Sequence, residues 1–497
     1  MDSKTPDIET VVACTDPHLD NSDKATITGS APLADLIYID FKEGDRRNPI
    51  NFTKRQKWVI TVIACYTTLL SSTAASAYPL GFQSMMRDLN CTNLQAITGL
   101  SVYALGFGIF PLVTAPLSEE FGRKPLYVVS MFIFIIMFMM IALAKNIQTV
   151  IVARFIQGAA SSVGSAMVGG TIADIWSPQE RGIPMAILSL SGCATAIGPI
   201  MAGWVEMNPR LQWRWIQWIQ MTYSGVCFIL TFVMKETRSE VLLVHLAKRK
   251  RKETGDIRYR AAVEDERANL TRLILLSCTR PLYLTFTEPI VAAFSLWIGF
   301  AWGVIYSFMA AIPIVFETVD HFSVGLAGTT FVSMLIGSAF GLLTSIWQDL
   351  MYRKNYTTRG PEARLYAACF AGVLLPTGLF IFAWCTLPQV NWVGLNVGIV
   401  CFLWSIYIIY QTVFAYLSDC YGTWASSASA GQGLARNLVA TAFPLFIVQM
   451  FDKLTFKWSC TLFACIAALM MPIPFVLFRW GPAIRRRSKV STKLAQV

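Results

Sequence analysis

Leu117-Ser118-Glu119-Glu120-Phe121-Gly122-Arg123-Lys124 is a charged turn wedged between two long apolar runs. Its position decides the fold. Twelve apolar segments lie along the chain, at 58–78, 98–117, 126–145, 149–172, 183–206, 215–234, 289–314, 327–347, 365–385, 392–412, 428–450 and 458–478, and the turn separates the second from the third. About 20 apolar residues carry a helix across the hydrocarbon core. In lipid, only helices and closed barrels satisfy their own backbone groups, and these segments are too long and too continuously apolar for barrel strands. They predict an all-α membrane protein of 12 transmembrane helices in two six-helix halves, 58–234 and 289–478. A polar arm (1–57), a linker (235–288) and a basic tail (479–497) complete the organisation.

Composition agrees with that reading. The 497 residues are 55% hydrophobic and only 14% charged, where a soluble chain carries about 25% charge. Mean hydropathy is +0.51. Residues 1–57 contain no early apolar run, so the first apolar segment is expected to act as the insertion signal. The net charge of +11 would suit nucleic acid, but its placement points elsewhere. Of the 41 Lys and Arg residues, 33 fall in the arm, the linker, the tail and the loops on one side. Six fall on the other side (Arg87, Lys145, Arg210, Arg214, Lys453, Lys457), and Arg154 and Arg436 lie within apolar segments. This is the positive-inside asymmetry. It places both termini in the cytoplasm, makes the lipid bilayer the partner of the basic residues and needs no nucleic acid.

Most of the twelve cysteines sit singly in apolar segments, with no metal-type pair; they read as packing residues, and no metal site is expected. Asn90-Cys91-Thr92 is a glycosylation sequon on the outer side. A glycan at Asn90 and an unused sequon are both open readings. The sequons at Asn51, Asn269 and Asn355 fall on the cytoplasmic side. In the linker, Lys248-Arg249-Lys250-Arg251-Lys252 is either a solvated face that anchors on anionic lipid or a regulatory contact. Asp349 and Arg353 after the eighth segment repeat the spacing of Glu119 and Arg123 after the second, which suggests two related halves around a midplane site.

Chemistry in water finds little support. There is no phosphate-binding G-x-x-x-x-G-K-[S/T] loop and no H-E-x-x-H motif, and the three histidines lie outside the apolar segments. No enzyme and no cofactor is expected. Polar groups inside the segments are few: Arg154, Gln157, Tyr306, Tyr407, Tyr410, Gln411, Gln432, Arg436 and Asn437. A charge in a membrane helix costs about 2.5–3.5 kcal/mol on insertion scales, so Arg154 should face the interior or snorkel to a boundary. Gln157, Ser161 and Ser165 share its helix face. Trp302, Tyr306 and Tyr410 can wall an apolar cavity with scattered polar groups. No segment carries a carboxylate at its middle. That absence tilts the cargo towards neutral or anionic molecules, with Glu206 and Asp174 left as proton carriers at the two ends.

Several stretches resemble the major facilitator superfamily, and more narrowly the fungal twelve-helix drug:proton antiporters. Residues 115–124 follow that superfamily's turn signature, with Ala115 for the first glycine and Glu119 for the aspartate. Arg154-Phe155-Ile156-Gln157-Gly158 resembles its fourth-helix motif, and Gly192 to Gly203, with Gly198-Pro199, resembles its antiporter motif. Asn48 to Lys54, Asp174 to Arg181, Arg280-Pro281, Glu288-Pro289, Asp419 to Gly422 and Arg436-Asn437 add to the likeness.

The resemblance implies a monomeric transporter of the plasma membrane, or of the vacuole. It would be driven by the proton gradient and would export hydrophobic or weakly acidic small molecules. It also implies roles by position. Glu119, Gly122, Arg123, Lys124, Asp174 and Arg181 would gate the inner side, with Glu119 pairing with Arg123 or with a helix N-terminus. Arg154, Gln157, Ser161, Trp302, Tyr306, Tyr410, Gln411, Arg436 and Asn437 would line or couple the route. Gly198, Pro199 and Gly203 would bend and seal the fifth helix. A dedicated exporter of one organic acid or secondary metabolite, an uncoupled facilitator, and a non-transporting sensor are the rival readings.

Overall fold

The computed structural model describes residues 36–487 apart from 43, 178–179, 194, 267–269 and 388. The first 35 residues of the arm, the last ten of the tail and Asn269 lie outside the described residues. The first half opens with α1 (Lys54–Ala77), whose first turn is closed by a capping box between Thr53 and Gln56. A 3-10 turn at Tyr78–Gly81 leads to α2 (Phe82–Leu89). The second crossing is split into α3 (Asn93–Ile109) and α4 (Pro111–Phe121), bent by 44°. Pro111 lacks a backbone donor, so the ladder breaks there and restarts. Next come α5 (Arg123–Ala142) and α6 (Ile147–Ile175). The fifth crossing is also broken, into α7 (Gly182–Cys193) and α8 (Ile197–Glu206), and α9 (Gln212–Val233) closes the half.

The linker holds α10 (Ser239–Thr254), α11 (Ala262–Glu266) and α12 (Leu270–Thr287). The second half comprises α13 (Pro289–Val319), α14 (Val324–Thr329) with α15 (Val332–Arg359), α16 (Tyr366–Cys385), α17 (Trp392–Tyr421), α18 (Ala425–Met470) and α19 (Pro472–Arg487). The long α18 is two crossings, because Thr455 takes a left-handed conformation (φ 67°) and folds the chain back. Each expected segment thus corresponds to one crossing, several of them built from two helices.

Two short strands, β1 (Ile37–Tyr38) and β2 (Tyr259–Arg260), pair in parallel and tie the arm to the linker. Ile39 and Leu243 pack beneath that pair against Val244, Ala247 and Ala261. The apolar residues at the end of the arm thus find their partners in the distant linker. In the basic run, Arg249 pairs with Glu253 and Arg251 with Glu264. Helix α12 lies against α4 and α18 and so touches both halves.

Lipid gives packed helices no hydrophobic drive to associate, so close approach does the work. It is tightest between α3 and α6. A Cβ on Gly158 would overlap the Tyr103 carbonyl, and one on Gly106 would overlap that of Phe155. Overpacking a filled site costs about 1–3 kcal/mol. We expect Gly158→Leu to reduce the monodisperse fraction of the solubilised protein on size exclusion and to lower its Tm. Wild-type values for both would show that the α3–α6 contact is not tight.

Candidate functional site

The charged turn folds back onto its own half. Gly122 sits at φ 92°, a conformation that favours glycine, and a Cβ there would strike the Glu236 carboxylate. That carboxylate accepts the backbone N–H groups of Arg123 (2.9 Å) and Lys124 (3.0 Å) at the start of α5. An acid at a helix N-terminus answers both the free donors and the dipole. The buried Arg123 guanidinium reaches Asp174 at the end of α6, Nε to Oδ2 at 2.6 Å. Arg238 approaches the other Asp174 oxygen at 3.9 Å and pairs with Glu240 at 2.6 Å. Arg181 donates to the carbonyls of Ala173 and Trp176 and so caps α6. Lys124 Nζ donates to the Phe232 carbonyl. The turn thereby staples α5, α6 and the end of α9.

This corrects the pairing expected for Glu119. That residue is exposed, Arg123 is held by Asp174, and the helix N-terminus is held by Glu236. Glu119 sits in the last turn of α4, whereas Arg123 opens a new helix after the sharp turn at Gly122. The four-residue spacing therefore does not place the two side chains on one helix face.

The second half repeats the staple with different residues. Arg364, just before α16, contacts Asp349 (3.1 Å) and Asp419 at the end of α17 (3.0 Å), and its guanidinium stacks over Tyr352 at 3.6 Å. The buried Glu362 takes Arg485 of α19 at 2.8 Å and accepts from the Tyr416 hydroxyl. Asp349 pairs with Arg364. The correspondence between halves is one of crossing number, the third and fourth against the ninth and tenth, and not one of spacing along the sequence.

Two arginines lie inside the bundle. Arg154 on α6 is 0% exposed, so it does not snorkel. It donates to the carbonyls of Gly99 (3.3 Å) and Ala74 (3.0 Å) and to Gln157 Oε1 (2.8 Å). Tyr78 and Tyr103 flank its guanidinium at 4.1 and 4.4 Å. Tyr103 donates to Ser71 and Ser161, so α1, α3 and α6 share one polar knot. Arg436 on α18 lies over Trp302 at 4.4 Å and near Tyr410 at 5.3 Å, and those two rings stack on each other. Tyr306 is buried within electrostatic reach of both arginines. Asn437 lies so near α3 that a Cβ on Gly108 would overlap it, and Gln411 donates to Ser189 of α7 at 2.5 Å. Arg154, Gln157 and Ser161 thus share one cluster and Arg436, Trp302 and Tyr410 another, while Asn437 and Gln411 reach α3 and α7.

On the face opposite the staples, α8 meets α14. Cβ atoms on Gly203 and Gly328 would strike the backbone of the other helix, and Gly198 abuts α1 at Ser76 and Thr73. Pro199 lies in the first turn of α8, after the break in this crossing. Beside this seam, Ser84 N–H donates to Glu206 Oε1 (3.2 Å) and Gln83 Nε2 to Glu317 Oε2 (2.8 Å). The second Glu206 oxygen is buried without a hydrogen-bond partner. Just past α13, burial pushes the Asp320 carboxyl above its ordinary range, with His321 acting the other way. Asn90 is exposed in a left-handed cap between α2 and α3, and its sequon partner Thr92 caps α3. Among the described residues no group of acids, histidines and cysteines could hold a metal.

A family model described as Major Facilitator Superfamily matches residues 64–444. The chain belongs to the Major Facilitator Superfamily. It is a multi-pass membrane transporter and not an enzyme. It is 32% identical over 472 residues to the MFS-type transporter paaT of Penicillium rubens, covering 94% of this chain and 85% of that protein. It is 31% identical to the major facilitator superfamily multidrug transporter mdrA of Aspergillus fumigatus, covering 94% and 77%. To the efflux pump FUB11 of Gibberella moniliformis it is also 31% identical, covering 92% and 78%. The xylose transporter XylE of E. coli, in a partially occluded inward-open conformation, shares the fold at a TM-score of 0.58 and 14% identity, covering 85% of this chain and 99% of that one.

For this transporter, sequence reading missed Glu236, Glu317, Arg364 and the Glu362–Arg485 pair. Each is a charge at the end of a crossing, so position was a usable signal, but their partners lie far along the chain. Breaking one side of a largely buried ion pair costs about 3–5 kcal/mol, whereas exposed substitutions fall within about 0.5 kcal/mol. Asp174→Asn is therefore expected to lower the Tm of the purified transporter by several degrees while Glu119→Gln leaves it in place. Equal shifts for both would mean that the staple does not run through Asp174.

Proposed function

We propose that this transporter exports hydrophobic or weakly acidic small organic molecules across the plasma membrane by proton antiport, as a monomer with both termini in the cytoplasm. The observation that carries the reading is the interior charge. Among the described residues, Arg154 and Arg436 have no carboxylate partner, so the route favours neutral or anionic cargo over cations. The names carried by relatives, multidrug transporter and efflux pump, support export as the direction. In this reading, the two halves rock about the contacts of α3 with α18 and of α7 with α15. The staples keep each half rigid, so that motion concentrates between halves. Glu119, Gly122, Arg123, Lys124, Asp174 and Arg181 shape the inner gate. Gly198, Pro199 and Gly203 make the outer seal, and Asn90 offers a glycan site outside.

Proton uptake is assigned to the outer seam. Glu206 and Glu317 come from different halves and are held by the neighbouring residues Ser84 and Gln83. A closed seam disfavours two ionised carboxylates together, so a proton taken from outside permits closure.

Two measurements test the reading. Cells carrying the transporter should accumulate less of several unrelated hydrophobic compounds or weak acids, and a protonophore should abolish the difference. Export confined to one acid would make it a dedicated exporter, and flux indifferent to the protonophore would make it a facilitator. Glu206→Gln should flatten the dependence of export on external pH; a variant that keeps the wild-type pH profile would remove Glu206 from coupling.

A further inference from the structure

We propose that Arg436 is the anchor of a carboxylate subsite, taking an aromatic monocarboxylate whose ring extends the stack of Trp302 and Tyr410. This rests on the exporter reading above and names one cargo class for it. The two interior arginines differ in a way that the sequence does not reveal. Arg154 is fully enclosed and makes three hydrogen bonds, which leave only Nη2 without an acceptor. Arg436 is 7% exposed and, among the described residues, donates to no acceptor, with Nε and Nη1 both buried. A buried guanidinium left without acceptors is costly, and such groups are normally satisfied by a partner, water or a ligand.

The surroundings supply the rest of a recognition site. Gln432, one turn earlier on the same helix face, has neither amide atom bonded, and Asn437 Oδ1 is also unbonded. The guanidinium fork matches a carboxylate in two parallel hydrogen bonds. Trp302 and Tyr410 stack at 5.5 Å and 25° beside it, presenting an apolar aromatic wall next to the charge. A compact inorganic anion would use the charge but not the wall, and a neutral ring would use the wall but not the charge.

The test uses purified full-length transporter in lipid nanodiscs and radiolabelled benzoate, displaced by unlabelled benzoate, by benzamide or by inorganic phosphate. Benzoate should displace at least tenfold better than benzamide, and phosphate should not compete. In Arg436→Gln the preference for benzoate over benzamide should fall towards one. Arg436→Lys, which keeps the charge and loses the fork, should lose at least threefold. Equal displacement by benzoate and benzamide in the wild type overturns the subsite, and this result needs no variant to fold. A preference retained in folded Arg436→Gln also overturns it, as does efficient displacement by phosphate. Any of these results would leave export itself to be judged by the accumulation assay, so the two readings fail separately.

Discussion

Hydrocarbon offers no hydrogen-bonding partner, so every backbone group within it must be satisfied by the protein. That constraint forces helices on each apolar segment and dictates where helices can break. The breaks at Pro111, between α7 and α8, between α14 and α15, and at Thr455 divide or terminate crossings. The breaks inside crossings lie where neighbouring helices press close, as α8 does against α1 and α14. The same medium removes the hydrophobic drive for helices to pair. Adhesion then falls to backbone approach at small residues and to a few polar knots.

Charge is sorted by the same medium. At one face, ion pairs close each half upon itself: Arg123 with Asp174, and Arg364 with Asp419. Their side chains remain partly accessible, which lessens the desolvation that burial exacts from ions. The pair of Arg123 with Asp174 lies within the first half, and Glu236, at the start of the linker, accepts from the first N–H groups of α5. Such a staple stiffens a six-helix unit and leaves the boundary between units to move. At the opposite face, two carboxylates from different halves sit beside the seam, where like charge would oppose closure.

The two interior arginines show how one residue type serves different ends. Arg154 replaces most of the solvent it loses with carbonyls, an amide and two aromatic faces, leaves Nη2 alone without an acceptor, and ties three helices together. Arg436 has aromatic faces but no acceptor among the described residues. A cation beside π surfaces gains some stabilisation, but its N–H donors remain unanswered. That unevenness separates the two arginines chemically: three hydrogen bonds are made by one and none by the other among the described residues.

Much of this was legible in the residue order. Segment length and apolar continuity determined the helices, and the placement of Lys and Arg set the expected orientation, because both follow from transfer of each residue into lipid. The turn at 117–124 and a bend in the fifth crossing could also be read locally, whereas for Arg154 the residue order leaves burial and snorkelling both open, and only the packing encloses it. Partners could not. Glu119 lies nearer Arg123 in sequence than Asp174 or Glu236 does, yet after the turn at Gly122 the guanidinium meets Asp174 of α6 and the backbone N–H meets Glu236. Arg364 meets Asp349 from 15 residues away, and residues 37–38 find their strand partners only at 259–260. Sequence by itself determined what each segment is, because that depends on a residue and its near neighbours in a uniform solvent. Only the tertiary structure decided which charges meet and which arginine stays unsatisfied, because those depend on how separate helices rotate and close against one another.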